Sequence, residues 1–391
     1  MDMKRDICIA TDVYNKLGGI ERYNVELADA LSKAGHRVTL LASKVDYRTD
    51  NLVRAVTMRT YIGIPALRFF WISVKTSFAY HRFKKEHPDG IFISSGLPSF
   101  FCDMAIAQSV HRQAVIVTNA REPKTAKGYL RRFLRKVRPL NLAIILFEWF
   151  VVKFGAKRII AIAEKVKREI VALYKVSGEK VVVVHSGVNA VEFAPNPETR
   201  KSVRAGAGFS EDDFLFLFSG NEFKRKGLLY LIQALALINE PKAKLVVAGR
   251  AKDEAFKKIA EESGVADRVF FIGPRSDFAD WCAACDAFVF PTLDEPFGLV
   301  IVEALAAGIP VVTSSPKYAG ASECLKDGFD SILLPDPKDA LRMAEHMQRL
   351  MKDRTLRETL GRNGRRTAEG LSWSKTAAGI VAAWGRYREA Q

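Results

Sequence analysis

Residues 290–312 read Phe-Pro-Thr-Leu-Asp-Glu-Pro-Phe-Gly-Leu-Val-Ile-Val-Glu-Ala-Leu-Ala-Ala-Gly-Ile-Pro-Val-Val, and their order decides the fold. An apolar, strand-like run ends at Phe290, a loop carries Glu295 and Pro296, and Gly298 opens a helical pattern reaching Ala307. Backbone N–H groups at such a helix start, at the positive end of its dipole, suit phosphate oxygens. Glu303 sits one turn inside the helix, where a carboxylate accepts hydrogen bonds from a sugar or ribose diol. Glu295 falls in the loop, on the other side of those phosphates. Two acids in an E-x7-E spacing therefore bracket an anion site.

Outward from this stretch, short apolar runs alternate with helical patterns, which predicts an α/β protein with parallel sheets. Phe214–Phe218, Lys244–Ala248, Arg268–Ile272, Ala287–Phe290 and Ile309–Thr313 read as strands, and Leu228–Ile238 as a helix. In the first half, Ile7–Ala10 is a strand, Gly18 and Gly19 break the chain, and Ile20–Ala34 repeats apolar residues at helical spacing. Arg37–Ala42, Ile91–Ser94 and Ala105–Ala107 read as further strands of that sheet, with the glycine turn at the phosphate-binding position of a Rossmann-like unit. The expectation is two Rossmann-like, doubly wound domains facing across a cleft. The first spans 1–185 and the second 186–371, and a helix in 372–391 (Trp373–Arg388) returns to the first.

Composition narrows the function classes. With 391 residues, 48% hydrophobic and 27% charged, the chain is a globular protein too long for one ordinary core. The start, MDMKRDICIATDV, enters a strand directly with no signal-peptide pattern, and five cysteines are too few and too odd in number for a disulfide framework. Both predict a cytoplasmic protein. The net charge of +16 is local. Asn51 to Lys85 holds seven basic residues (Arg54, Arg59, Arg68, Lys75, Arg82, Lys84, Lys85) and no acid, and Arg121 to Ile170 holds fourteen basic and four acidic residues. These windows contribute +7 and +10 and leave about −1 for the rest. A basic surface in the first domain implies an anionic partner.

Three motifs in order resemble the retaining glycosyltransferases of family 4 (glycosyl transferases group 1), which have the GT-B fold. They are EPFGLVIVEALAAGIPVV, GGIERYNVELADALSKAGHRVTLL and SGNEFKRKGLLYLIQAL, and the resemblance covers essentially the whole chain. It is closest in character to the bacterial lipopolysaccharide core glucosyltransferases. It implies catalytic roles for Arg225 and Lys226, which would neutralise the nucleotide diphosphate as leaving group. It implies that Glu303 binds the ribose and Glu295 the sugar hydroxyls. Phe297, Gly298 and Leu299 join the donor site, the last two through backbone N–H groups, and Gly18 and Gly19 let the backbone approach the donor. His111, in Gln108-Ser-Val-His111-Arg, would face the anomeric carbon. Gln108 stands where some members carry a carboxylate, so a front-face, leaving-group-assisted retention fits better than a carboxylate nucleophile. The implied reaction moves a hexose, glucose from UDP-glucose, to a hydroxyl of a lipopolysaccharide core or other glycolipid.

No Asp-x-Asp occurs, so neither a metal nor another cofactor is expected, and Cys282-Ala-Ala-Cys285 lacks the partners of a zinc site. Tyr129, Leu130, Phe133, Leu134 and Val137 share a helical face, with Arg131, Arg132, Arg135, Lys136 and Arg138 around the other. Leu67, Phe70, Trp71, Val74 and Phe78 repeat the design beside Arg68 and Lys75. Such helices suit an anionic membrane surface, reached through 65–85 and 126–158, and predict a peripheral protein on the inner face of the cytoplasmic membrane. The plain alternative is that these apolar faces are core and the charges a solvated rim, and part of Leu140–Phe154 is expected in the core in either case. A basic nucleic-acid-binding protein and a non-enzymatic membrane scaffold are the other function classes. Neither explains the E-x7-E stretch, so no nucleic-acid partner is expected.

Overall fold

The computed structural model describes residues 4–14, 18–46, 53–58, 62–96, 99–120, 124–250 and 253–391. Arg59 and Arg121 of the basic windows lie outside these residues. The chain divides into two compact units, 1–186 with 373–391, and 187–372.

The first unit runs β1 (Asp6–Tyr14), α1 (Gly19–Lys33), β2 (Arg37–Val45), β3 (Val53–Thr57), α2 (Pro65–Glu86), β4 (Ile91–Ser95) and β5 (Cys102–Ala107). It continues through α3 (His111–Ala120), α4 (Ala126–Val137), α5 (Pro139–Phe150), β6 (Ala156–Ala161), α6 (Glu164–Tyr174) and β7 (Val181–Val183). Its seven strands lie in the order β3-β2-β1-β4-β5-β6-β7, and every pairing is parallel. The order reverses between β1 and β4, which is where open α/β sheets place ligands. Ile7, Ile9, Leu40, Ile91, Phe92 and Ile93 are fully buried between helical layers, as a parallel sheet requires.

The second unit holds α7 (Pro197–Gly206), β8 (Phe214–Ser219), α8 (Leu228–Ala236), β9 (Ala243–Ala248), α9 (Glu254–Glu262), β10 (Val269–Gly273) and α10 (Phe278–Ala284). Then follow β11 (Ala287–Phe290), α11 (Leu299–Ala306), β12 (Val311–Ser314), β13 (Ile332–Leu334), α12 (Ala340–Lys352) and α13 (Arg354–Gly370). The strand order is β10-β9-β8-β11-β12-β13, again all parallel. Here the reversal falls between β8 and β11. The last helix, α14 (Trp373–Glu389), packs on α1 of the first unit. Trp373 meets Tyr23 edge-on at 5.1 Å, and the buried Trp384 ring lies near the ammonium groups of Lys84 and Lys157 at 5.9 and 5.5 Å.

Several strands differ from the sequence reading for local reasons. The run expected from Ile309 pairs only from Val311, because Pro310 has no N–H for the ladder and gives its carbonyl to Phe288 N at 2.9 Å. β6 opens Ala-Lys-Arg and carries no apolar alternation, so its pattern is hidden. Lys157 reaches Asp103 at 2.9 Å, and Arg158 lies over the Tyr387 ring at 5.0 Å, which lets both charges sit in a strand. β3, β7 and β13 are three to five residues long, too short for a period to register.

Candidate active site

In the second unit the predicted residues gather at the strand-order reversal. The segment after β8 supplies Arg225 and Lys226, and the loop after β11 supplies Glu295 and Gly298. Gly227 has φ +80, and a Cβ there would collide with the Pro291 carbonyl, so only glycine lets these two segments close up. Leu293 N then donates to Arg225 O at 2.9 Å. On its other side the loop is tied down by Glu295 N to Tyr318 O at 2.7 Å and by Gly320 N to Glu295 O at 3.1 Å.

Lys226 and Glu295 form an ion pair, with side chains only 10% and 12% exposed. The lysine stem runs along Gly220, where a Cβ would approach its Cγ to 2.9 Å, and its ammonium lies 5.4 Å from the Phe290 ring centroid. Burial first, then the neighbouring Arg225 charge, push the Lys226 ammonium well below the ordinary lysine value, while Glu222 and Asp294 pull it back up. Arg225 pairs with Glu222 at 2.7 Å and donates to the Asp294 carbonyl. Arg225 and Lys226 thus sit side by side at the reversal, each paired with a carboxylate.

Gly298 precedes α11 with a φ of +103, in the left-handed region, and no side chain caps the helix. The first turn contains no acid, so no carboxylate of that turn offsets the positive end of the helix. Leu299 is part exposed at that start. Glu303 follows one turn in and is buried. Phe297 is buried too, and its carbonyl is taken by Ala321 N at 2.9 Å, so its side chain belongs to the core. Glu222, Asp294, Tyr318 and Gly227 were not singled out from the sequence. Only the Glu222–Arg225 spacing carried a signal, since residues three apart in a helical turn meet.

The remaining predicted residues lie in the first unit and are described within it. Gly18 precedes α1 at φ −132, and a Cβ there would meet the Glu21 carboxylate, while Gly19 faces open space. Gln108 is buried, donating to Ser95 Oγ at 2.9 Å and approaching Asn24 Oδ1 at 3.5 Å; Asn24 in turn donates to Thr11 Oγ1 at 2.7 Å. His111 is the first residue of α3. Cys282 and Cys285 are buried at the end of α10, and burial pushes the Cys285 thiol up, as suits packing rather than chemistry.

Two family models match the chain: Glycosyltransferase Family 4 over residues 17–192 and Glycosyl transferases group 1 over residues 199–367. The chain belongs to the GT-B glycosyltransferases. A D-inositol 3-phosphate glycosyltransferase of Streptomyces bingchenggensis is 35% identical over 57% of this chain and 51% of its own length. The chain thus spans about half the length of that curated relative. Among solved structures, WaaG, a glycosyltransferase involved in lipopolysaccharide biosynthesis, has a TM-score of 0.74 at 22% identity, covering 96% of this chain and 98% of its own. Anabaena HepE in complex with UDP-glucose has a TM-score of 0.70 at 18% identity, covering 97% and 99%. At these identities the two structures share the glycosyltransferase's fold.

The basic helices of this glycosyltransferase present their apolar faces to solvent. On α4, Tyr129, Leu130, Phe133, Leu134 and Val137 are 44–61% exposed, so they are not core. Leu67, Phe70, Trp71 and Phe78 of α2 and Leu142, Leu146 and Trp149 of α5 are exposed as well, while Val74 is half-buried. Phe147, Val151 and Val152 supply the part of 140–154 that is core. Among the described residues no helix is long and apolar enough to cross a membrane.

Proposed function

We propose that this glycosyltransferase is a retaining family 4 hexosyltransferase that moves glucose from UDP-glucose to a hydroxyl of a membrane-associated glycolipid, a lipopolysaccharide core among them. The observation that carries the reading is the buried Lys226–Glu295 pair beside Arg225 at the uncapped start of α11. A diphosphate entering there replaces one carboxylate on Lys226 with two phosphate charges. Arg225 and Lys226 then oppose the charge that grows on the leaving diphosphate, in a site from which water is largely excluded. Glu295, released from the lysine, turns to the sugar hydroxyls, Glu303 takes the ribose diol, and Gly298 and Leu299 offer N–H groups. No metal has a role in this scheme. In the first unit His111 serves the anomeric centre, and Gly18 and Gly19 leave the backbone open to the donor. Because Gln108 brings an amide already engaged with Ser95, front-face transfer assisted by the leaving group is the mechanism favoured.

The acceptor side rests on the exposed faces of α2, α4 and α5. Apolar side chains rimmed by arginine and lysine suit the interface of an anionic bilayer, with each cation adding about 1 kcal/mol near the surface. The protein is accordingly proposed to be peripheral on the cytoplasmic leaflet. The relative named for D-inositol 3-phosphate favours a second acceptor class, a phosphorylated polyol.

The test is calorimetric binding of a panel of nucleotide sugars and of an RNA oligomer, followed by transfer assays on a lipopolysaccharide core acceptor and on D-inositol 3-phosphate. Co-sedimentation with anionic and with neutral vesicles reads the membrane arm. Binding of UDP-glucose weakened in Lys226→Ala, transfer to the glycolipid and selective sedimentation with anionic vesicles are expected. Tight RNA binding without nucleotide-sugar binding would overturn the enzyme's proposed donor chemistry.

A further inference from the structure

α3 starts with a carboxylate already at its N-terminus. The N–H groups of His111 and Arg112 donate to Glu148 Oε1 and Oε2 at 2.9 and 3.2 Å, and Glu148 comes from α5, 37 residues further along. A third donor, the Tyr174 hydroxyl of α6, bonds the same Oε2. Burial, with the Glu148 charge adding to it, pushes the Tyr174 phenol up, so that hydroxyl stays protonated and remains a donor. Arg112 closes the cluster, its guanidinium 5.8 Å from the Tyr174 ring centroid and donating to Leu173 O at 3.1 Å.

A glutamate that is 5% exposed costs folding energy unless its lone pairs are filled, and here three donors from two helices fill them. The arrangement neutralises the positive end of α3, so this helix start, unlike that of α11, is closed to phosphate. It also fixes the backbone of His111, whose Nε2 is buried and has no hydrogen-bond partner among the described residues. An imidazole nitrogen on a fixed helix end that the protein leaves without a partner is one that a bound ligand can satisfy. The same α5 shows Leu142, Leu146 and Trp149 to solvent, so the carboxylate that holds His111 sits on one of the helices proposed to meet the bilayer.

We infer that Glu148 is a positioning residue for sugar transfer: it clamps the first turn of α3 so that the His111 imidazole is aimed at the reacting sugar, and it acts through His111 without touching substrate. This rests on the role given to His111 above. A displacement of about 1 Å at a reacting group can cost on the order of 100-fold in rate. Glu148→Gln keeps the size but turns an amide N–H toward helix donors, so the clamp loosens.

The experiment is a kinetic cycle of wild type, Glu148→Gln, His111→Ala and the double variant, reading UDP release from UDP-glucose, with the His111 imidazole cross-peak followed by NMR in the full-length chain. Expected are a kcat at least about tenfold lower in Glu148→Gln with donor KM within about twofold, and a double variant no slower than His111→Ala. The His111 cross-peak should shift in Glu148→Gln and, by less, in Tyr174→Phe, which keeps the carboxylate and serves if Glu148→Gln does not fold. Additive losses, or an unmoved His111 cross-peak, overturn the inference. A slow His111→Ala beside a normal Glu148→Gln overturns the inference alone. A normal His111→Ala overturns the reading of His111 and the inference together. If wild type releases no UDP, the proposed donor is wrong and the cross-peak decides the positioning role by itself.

Discussion

Lys226→Met tests the proposed donor site most sharply, because it separates the lysine's part in folding from its proposed part in catalysis. The variant keeps the stem against Gly220 and Phe290 but strands the Glu295 carboxylate, which is only 12% exposed. Removing one partner of a buried pair costs about 3–5 kcal/mol, and the residual exposure of both side chains points to the lower end, about 3 kcal/mol. For a unit of this size that lowers the melting temperature by about 6–12 °C. Adding Glu295→Gln removes the stranded charge, so the double variant should return to within about 1.5 kcal/mol of wild type. Catalysis should not return. Without the cation on the diphosphate, kcat falls by about 100- to 1000-fold in both variants. Calorimetric unfolding of the second unit and UDP release from UDP-glucose are the two readouts. A double variant as unstable as Lys226→Met refutes the buried-pair account, and a double variant with restored kcat refutes the leaving-group role.

Three further outcomes follow from particular contacts. Glu303→Ala is expected to raise the donor KM with little change in kcat, and a fall in kcat at unchanged KM would remove Glu303 from ground-state ribose binding. Trp384→Ala should destabilise the first unit by about 3–5 kcal/mol while the second unit's transition stays put, read by calorimetry, because the ring is buried between α14 and the rest of that unit. Burial first, then Arg342, hold half-buried His346 below its ordinary value of 6.5. The unfolded chain therefore takes up this proton at a higher pH than the folded chain, and stability drops as pH falls below about 6.5 and levels off below the folded value. His346→Gln should flatten urea midpoints across that window, and an unchanged slope would show that another group sets it.

The second unit was the more legible because its signals are local. A strand end, a glycine with positive φ and a helix start occupy the few residues around Glu295 and Gly298, and each is set by near neighbours. The E-x7-E spacing likewise fixes both acids to one short loop and helix. By contrast, β6 was invisible because Lys157 and Arg158 interrupt its apolar run, and only Asp103, Trp384 and Tyr387 explain why charges are tolerated there.

By itself, then, the sequence determined the two parallel α/β halves and the placing of excess charge in the first 170 residues. Tertiary structure alone decided three things. It paired Lys226 with Glu295, 69 residues apart. It set Glu148 on the start of α3, and it left the apolar face of α4 in solvent, where amphipathic spacing had been equally consistent with core. The physical reason is common to all three. Helical and strand periods record which side chains share a face, but what covers that face, and which charge meets which, depends on segments brought together only when the sheets assemble.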